Sequence, residues 1–453
     1  PREPLSSRTA GGAVARFVIM DGMDKVHLIG IGGVGMSALA QAFLDKGWRV
    51  TGSDRLVDRG EATPTLRTLA AEGVALCPQD GRAVDAGTTV VYSTAIEADN
   101  ADLLAARRTG ARCLHRSEAL AALTRGHETI AVTGTCGKST VTAMLGHLLA
   151  ACGRDPAVVN GAEVIGWDDG GRRIGSVRAS GNPQGPMVVE ADESDKSLLA
   201  LEPRHVIVTN ASSDHFPKAE AEALFRAFKA KATGVVVDTS DAPAGPAPRT
   251  AGWETRFAWR GREWTLPMPG AHNVANAKAA LGMALALGCD VEDLARELAA
   301  FPGVRRRLER VGTLDGACVV DDYAHNVEKL AAAWATLAEA FPAGVFGVWR
   351  PHGYAPLRKM LEGLAAMFNA TVRPCDRLLL LPVYDAGGTT DRSLNSDALL
   401  ARLTCPAESV PDLAAAESRL RALARPGTAV ATFGARDPGL PALARRLAGL
   451  PEA

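Results

Sequence analysis

The sequence predicts an α/β protein of three domains built on parallel, doubly wound sheets. Short apolar runs alternate with helical patterns along most of the chain, as expected of β–α units whose strands are covered on both faces. Two glycine clusters, "HLIGIGGVGMSALA" and "AVTGTCGKSTVTAML", each stand between an apolar run and a helical pattern. The length of 453 residues accommodates two to four domains at roughly 150 residues each.

Taken in order, "KVHLIGI" is a buried strand, "MSALAQAFLDKG" the helix after it, and "RVTGSD" a strand ending in an acid. "TTVVYSTAI" is a further strand. A second unit starts with "TIAVTGT" near residue 129. "PMVVEADESD" and "HVIVTNAS" are strands with polar C-terminal ends, and the helices "HNVANAKAALGMALALG" and "DVEDLARELAAF" finish the unit. "FPGVRRRLERVG" joins a Pro-Gly break to a charge run, and we expect a hinge there. "ACVVDDY", "GVFGVWRPH", "RLLLLPVYDAG" and "TAVATFGARD" supply the strands of a third unit. The divisions expected are 23–123, 124–303 and 304–453. Residues 1–22 are polar, lack the apolar core of a secretory signal, and are expected to form a mobile tail.

Composition narrows the function. The chain is 47% hydrophobic and 22% charged with a net charge of −1, so neither nucleic acid nor an anionic membrane is expected as its main partner. No stretch of about eighteen apolar residues predicts a spanning helix. Eight cysteines without CxxC pairs favour reduced thiols in a cytoplasm over a disulfide framework or a zinc site.

The central loop runs Thr133-Gly134-Thr135-Cys136-Gly137-Lys138-Ser139-Thr140 between a strand and a helix. Glycines there let backbone N–H groups approach phosphate oxygens, and the helix N-terminus adds positive potential. Lys138 is placed to reach the β- and γ-phosphates and Ser139 to hold Mg²⁺. Gly134 and Gly137 have two residues between them where the usual pattern has four. Such a site needs carboxylates, and "VVEADESD" brings Glu190, Asp192, Glu193 and Asp195 to a strand end. Glu190 directly follows the apolar run, which places it at the carboxyl edge where open sheets bind ligands. Asn210, Asp214 and His215 end the next strand. In the first unit Gly30-x-Gly32-x-x-Gly35 opens a helix and Asp54 ends the following strand. That is a dinucleotide-type fingerprint, and it implies a nucleotide or its pyrophosphate there.

Together these pieces resemble the Mur ligases, the ATP-dependent amide ligases of peptidoglycan precursor synthesis. The likeness is strongest to the branch that joins L-alanine to UDP-N-acetylmuramate. "GIGGVGMSALA", "GTCGKST", "EADESD", "TNASSDH", "GAHNVANAKAA", "FPGVRRRLERVG", "DDYAHN", "RPHGY" and "FGARD" follow in the family's order from about Lys25 onward. The resemblance implies a Rossmann-like N-terminal domain for the UDP substrate, a central P-loop ATPase-like domain, and a Rossmann-like C-terminal domain for the amino acid. It implies UDP-substrate contacts at Gly30, Gly32, Gly33, Gly35, Asp54 and Ser93. ATP contacts would come from Gly134, Thr135, Gly137, Lys138, Ser139 and Thr140, from Asn273 and Asn276 near the adenine, and from Asp322. Ser139, Glu190 and His215 would ligate Mg²⁺. Lys138, one of Arg305 and Arg306, His325 and Asn326 would surround the transferred phosphoryl. The implied reaction converts an acceptor carboxylate to an acyl phosphate, which an amine then attacks. Its partners are small molecules, with a monomer or dimer in the cytoplasm.

The sequence also departs from the family. His352 and Tyr354 are kept, but Gly353 and Pro356 stand where the alanine-adding branch carries two arginines for the amino-acid side. Arg358 is one turn away. "AHNV" replaces "GHHP", "SSDHFP" replaces "EPDHMD", and Cys136 replaces a histidine. Loss of bidentate cations from a carboxylate site is not conservative. A different acceptor or amine, or a non-catalytic Mur-like binding protein, is therefore the alternative expectation. A nicotinamide oxidoreductase would use the first loop but leave the second, and the acids, unexplained. A polyglutamate- or cyanophycin-type ligase would leave the first loop without a role.

Overall fold

The computed structural model describes residues 25–194, 196–211, 217–241, 246–385 and 391–451. The expected tail 1–22, and Asp195, Asp214 and His215, lie outside the described residues.

The first sheet holds β1 (Lys25–Ile29), β2 (Arg49–Ser53), β3 (Ala75–Cys77), β4 (Thr89–Tyr92) and β5 (Arg112–His115). All pair in parallel in the order β3-β2-β1-β4-β5. The order reverses between β1 and β4. The loops carrying Gly30 and Ser93 therefore face each other across a crevice at the carboxyl edge.

The second sheet holds β6 (Thr129–Thr133), β7 (Ala157–Val159), β8 (Val177–Arg178), β9 (Met187–Glu190), β10 (His205–Val208) and β11 (Val236–Asp238). Its order is β11-β10-β6-β9-β7-β8, and only β8 runs antiparallel. Every residue of β6 is buried, as a central parallel strand requires. Because β9 and β10 flank β6, the loop after β6 sits between the strand ends that carry Glu190 and Asn210.

A three-stranded antiparallel sheet, β12 (Arg249–Ala251), β13 (Glu254–Trp259) and β14 (Arg262–Leu266), was not anticipated. Its signal was present. Residues alternate exposed and buried along β13, and the two-residue turn Arg260-Gly261 has φ of 51° and 75°, the left-handed pair that closes a tight hairpin.

The last sheet holds β15 (Glu309–Leu314), β16 (Ala317–Asp322), β17 (Val345–Trp349), β18 (Arg377–Leu380), β19 (Ala407–Ser409) and β20 (Ala429–Phe433), in the order β15-β16-β20-β17-β18-β19. The stretch expected as a hinge divides here. Arg305–Leu308 remains irregular, whereas the end of the charge run becomes the antiparallel strand β15. Both faces of this sheet are covered, one by a cluster with Trp334, Trp349, Phe368 and Phe433, the other by Phe346, Val348, Leu379 and Leu443.

The first two units share a continuous apolar core. Met36, Leu39 and Phe43 of the helix Val34–Asp45 and Leu123 of the helix Arg116–Thr124 belong to one cluster with Val159, Val177, Leu198 and Leu201. Arg173 adds an ion pair, one terminal nitrogen donating to both Asp45 oxygens at 2.6 and 2.8 Å. The two glycine loops are thereby fixed with respect to each other.

Candidate active site

The loop after β6 leads into the helix Lys138–Ala151, whose N-cap Gly137 offers no side-chain cap. The first-turn N–H groups are thus left for an anion. The loop is clamped from β10: the Thr135 N–H donates to the Asn210 carbonyl at 3.1 Å and the Cys136 N–H to Asn210 Oδ1 at 2.9 Å. Ser139 and Thr140 are buried in the first turn. Asn276 of the helix Ala271–Ala286 presses on Gly137, and its amide donates to Asn273 Oδ1 at 3.3 Å. Both predicted asparagines therefore stand behind the phosphate loop.

Lys138 Nζ donates to the Gly134 carbonyl at 2.8 Å and to Glu193 Oε2 at 2.6 Å. The pair is nearly enclosed, with side-chain exposures of 12% and 2%, and the second oxygen of Glu193 is buried without a partner. Burial opposes the charge on Lys138, but Glu193 and Glu190 outweigh it and hold the ammonium above its ordinary pKa. Burial likewise pushes the Glu193 carboxyl up, against the pull of Lys138. Lys138 therefore stays cationic toward an incoming phosphate.

Beside it lies a cavity of ≈ 190 Å³ lined from both units. Val34 and Gly35 follow the first glycine loop, Arg116 and Ser117 open the helix after β5, and Asn160, Glu190 and Asp192 lie at the ends of β7 and β9. Gly161 donates its N–H to Glu190 Oε2 at 2.8 Å. Arg116 reaches across the boundary to Asp192 Oδ2 at 3.0 Å, and its other terminal nitrogen lies 3.3 Å from where a Cβ on Gly35 would be. Burial would raise the Asp192 pKa, but Lys138, the Ser194 N–H and Arg116 hold it below the usual range. Asn160 is 2% exposed and its Oδ1 has no partner. Arg116 and Asn160 were not singled out from the sequence, although Arg116 is the first residue after a strand at the ligand edge, which is a legible signal.

In the first loop, Gly30 has φ of 74°, Gly33 donates its N–H to the Gly30 carbonyl at 3.1 Å, and Gly35 lies in the first turn of its helix. Asp54 spends both oxygens on backbone, accepting from Gly32 and from Leu56 at 3.0 Å each. It shapes the loop directly. Ser93 opens the turn that brings Ile96 against Gly30, its carbonyl accepting from the Ile96 N–H at 3.1 Å.

The hinge separates its arginines. The Arg305 N–H donates to the Glu163 carbonyl at 2.8 Å, and its guanidinium pairs with Glu309 at 2.9 Å and faces Asp168 at 3.8 Å. Arg306 turns to the last sheet, donating to Asp321 at 3.1 Å and to the carbonyls of Gly434 and Ala435. Arg306 and Leu308 have φ of 59° and 45°, a conformation that costs roughly 1–3 kcal/mol for such residues and persists only where surroundings enforce it. Glu309 Oε2 accepts from the Arg306 N–H at 2.9 Å, and the oxygens of Asp322 accept from Leu308 at 2.6 Å and Ala324 at 2.7 Å. The carboxylate predicted to meet ATP is thus committed to the backbone on both oxygens.

Loops after β16, β20 and β17 are neighbours at one edge, because the strands are adjacent in that order. His325 and His352 meet there with rings 4.9 Å apart, and Asn326 caps the helix Val327–Ala340. His352 Nδ1 is buried without a partner. Burial, with the charges of His325 and Arg436, lowers the His352 pKa to about 4, so this imidazole is neutral near neutral pH. Tyr354 starts the helix Tyr354–Thr371, where Pro356 occupies the first turn and displaces no intrahelical N–H. Arg358 pairs with Asp391 at 2.7 Å.

One pH prediction arises from this edge. Burial pushes the Asp321 carboxyl up to about 6 in spite of Arg306. The folded chain then holds a proton that the unfolded chain releases near ~3.9. Its contribution to stability falls as pH rises through that window and is fully unfavourable above it. Melting temperatures of wild type and Asp321→Asn, followed from pH ~4 to ~7, are expected to diverge in the variant's favour as pH rises.

A model of the Mur ligase family catalytic domain matches residues 25–128, and one of the Mur ligase glutamate ligase domain matches residues 306–436. The UDP-N-acetylmuramate–L-alanine ligase of Kineococcus radiotolerans is 36% identical over 92% of this chain and 94% of its own length. That of Salinispora arenicola is 36% identical over 98% of this chain and 93% of its own. Among solved structures, the UDP-N-acetylmuramate–alanine ligase of Thermotoga maritima superposes with a TM-score of 0.76 at 24% identity, covering 93% of this chain and 98% of that one. A murein peptide ligase of Psychrobacter arcticus gives a TM-score of 0.57 at 18% identity, covering 93% and 98%.

Proposed function

We propose that this chain, which belongs to the Mur ligase family and is an ATP-dependent acid–amino-acid ligase, joins L-alanine to UDP-N-acetylmuramate through an acyl phosphate. One observation supports this reading above the rest: a single cavity touches the helix of the first glycine loop, Arg116 and Glu190, with Lys138 paired to Glu193 beside it. A carboxylate held from the first loop and a phosphoryl held at the second would meet there.

An acceptor carboxylate oxygen attacks the γ-phosphorus of ATP, and ADP departs. The amine then attacks the acyl carbon, loses a proton, and phosphate leaves. Little covalent work falls to the protein, which aligns the partners and neutralises charge. Lys138 follows the phosphoryl while Glu193 keeps it aimed. Arg116 is suited to the acceptor's anionic groups. Closure of the third domain over the hinge would exclude water, which competes for the acyl phosphate.

Ser139 and Glu190 offer the hard oxygen ligands Mg²⁺ prefers, and the unpartnered Glu193 oxygen suits the same neighbourhood. Among the described residues no group of three or more His, Cys, Asp or Glu could hold a metal. Mg²⁺, when bound, neutralises charge on the triphosphate. His215 would add a ligand, by resemblance.

We place the domain boundaries at 123/124 and 303/304, and the UDP moiety along Gly30–Gly35 and Ser93. No described helix is long and apolar enough to cross a membrane, and we take the enzyme to act in the cytoplasm as a monomer or dimer.

A Cβ on Gly161 would lie 2.5 Å from Glu190 Oε2. Gly161→Ala is therefore expected to displace Glu190 and raise the Mg²⁺ concentration for half-maximal activity roughly tenfold, as read from phosphate release in a Mg²⁺ titration.

The function itself is tested with ATP, Mg²⁺, UDP-N-acetylmuramate and a panel of amines, scoring phosphate release. L-Alanine is expected to be the best amine. A better amine would favour the altered-substrate alternative suggested by Gly353 and Pro356, and no release with any amine would refute the ligase assignment.

A further inference from the structure

By resemblance, Gly353 and Pro356 stand where the family carries two arginines for the amino-acid side, so an incoming carboxylate would need another cation. The candidates at this edge are mostly engaged. Arg306 pairs with Asp321, Arg350 with Asp437, Arg358 with Asp391 and Arg392 with Asp385. Arg307 is stacked over Tyr323 at 5.1 Å. Arg436 differs. It is exposed, and among the described residues it forms no ion pair.

Its place is fixed from both sides. On one side the Ala435 carbonyl accepts from Arg306 at 3.2 Å. On the other, Asp437 accepts from Arg350 at 2.6 Å, two residues before His352. The Arg350 N–H also donates to the Phe433 carbonyl at 3.2 Å, joining the loop after β17 to the end of β20. Arg436 thus stands on the loop between Arg306 and His352, at the edge where His325 and His352 meet.

Resting on the ligase reading above, we infer that Arg436 binds the α-carboxylate of the incoming amino acid, in place of the arginines missing at Gly353 and Pro356. The buried, unpartnered His352 Nδ1 accepts from the amino group at the other end of the same substrate. A guanidinium at one end and a neutral imidazole at the other select an amine that carries a free α-carboxylate. The lowered pKa of His352, to which Arg436 contributes, agrees with their proximity.

L-Alanine and L-alaninamide separate this inference from the reading beneath it. Wild type is first given ATP, Mg²⁺, UDP-N-acetylmuramate and hydroxylamine. Hydroxamate formation supports the ligase reading, and its absence overturns that reading and this inference together. Arg436→Ala is then expected to raise the KM for L-alanine about 10- to 100-fold, with the KM for ATP unmoved. Wild type should prefer L-alanine over L-alaninamide, and the variant should lose most of that preference. Arg436→Lys should restore part of it. If hydroxamate forms but Arg436→Ala keeps both the KM for L-alanine and the preference, Arg436 does not bind the carboxylate.

Discussion

Lys138→Ala is expected to abolish ATP-dependent phosphate release to within about a thousandth of the wild-type kcat, since it removes the cation that follows the transferred phosphoryl. The same substitution should also destabilise the fold, and the two effects have different causes. Glu193 is 2% exposed and faces Lys138 at 2.6 Å, so removing the lysine leaves a buried carboxylate uncompensated, a change that costs about 3–5 kcal/mol. Protonation of Glu193, already favoured by burial, would relieve part of that. Lys138→Ala/Glu193→Gln removes both charges and should recover most of the stability in urea unfolding without recovering turnover. A double variant as unstable as the single one would mean that the pair is held by something other than its charge. A Lys138→Ala enzyme that still releases phosphate at the wild-type rate would remove the central loop from the chemistry.

The sheets were legible because parallel strands buried on both faces write themselves as short apolar runs, and "TIAVT" and "VFGVW" are fully buried. The antiparallel hairpin Glu254–Leu266 was missed because charged side chains interrupt its apolar pattern: Glu254, Arg256 and Glu263 lie on the exposed face, and Arg260 and Arg262 sit in and beside the turn. For the site, motifs located the strand ends but not the hydrogen bonds made there. Asp54 and Asp322 carried the right chemistry at the right edge, yet each gives both oxygens to backbone N–H groups. Nothing in a linear pattern separates a carboxylate that awaits a ligand from one that braces a loop. Arg116 shows the reverse: its role depends on a contact to Asp192, 76 residues away, that only the packing of two domains creates.

Gly137→Ala should be a strongly damaging single methyl in the molecule's phosphate loop. Gly137 has φ of 87° and ψ of −6°, a left-handed conformation that costs a residue with a Cβ about 1–2 kcal/mol. The added carbon would also lie 2.3 Å from Asn276 Oδ1, and Asn276 cannot easily retreat. Its amide is tied to Asn273, whose own amide donates to the Pro269 carbonyl at 2.8 Å. Moving the whole helix would open the core in which Met144 and Leu148 share a cluster with Ala280 and Ala284. Conformational strain and overpacking together predict a loss of about 2–4 kcal/mol and a KM for ATP raised at least tenfold. Gly153, just past the other end of the same helix, supplies the control. Its φ is 73°, but an added Cβ would meet nothing within 4 Å, so Gly153→Ala should show the backbone cost alone, about 1–2 kcal/mol, with ATP binding intact. Asn276→Ala added to Gly137→Ala would clear the collision and should return part of the lost stability. Equal losses at Gly137 and Gly153, with no gain from the second substitution, would show that the loop does not depend on the contact with Asn276.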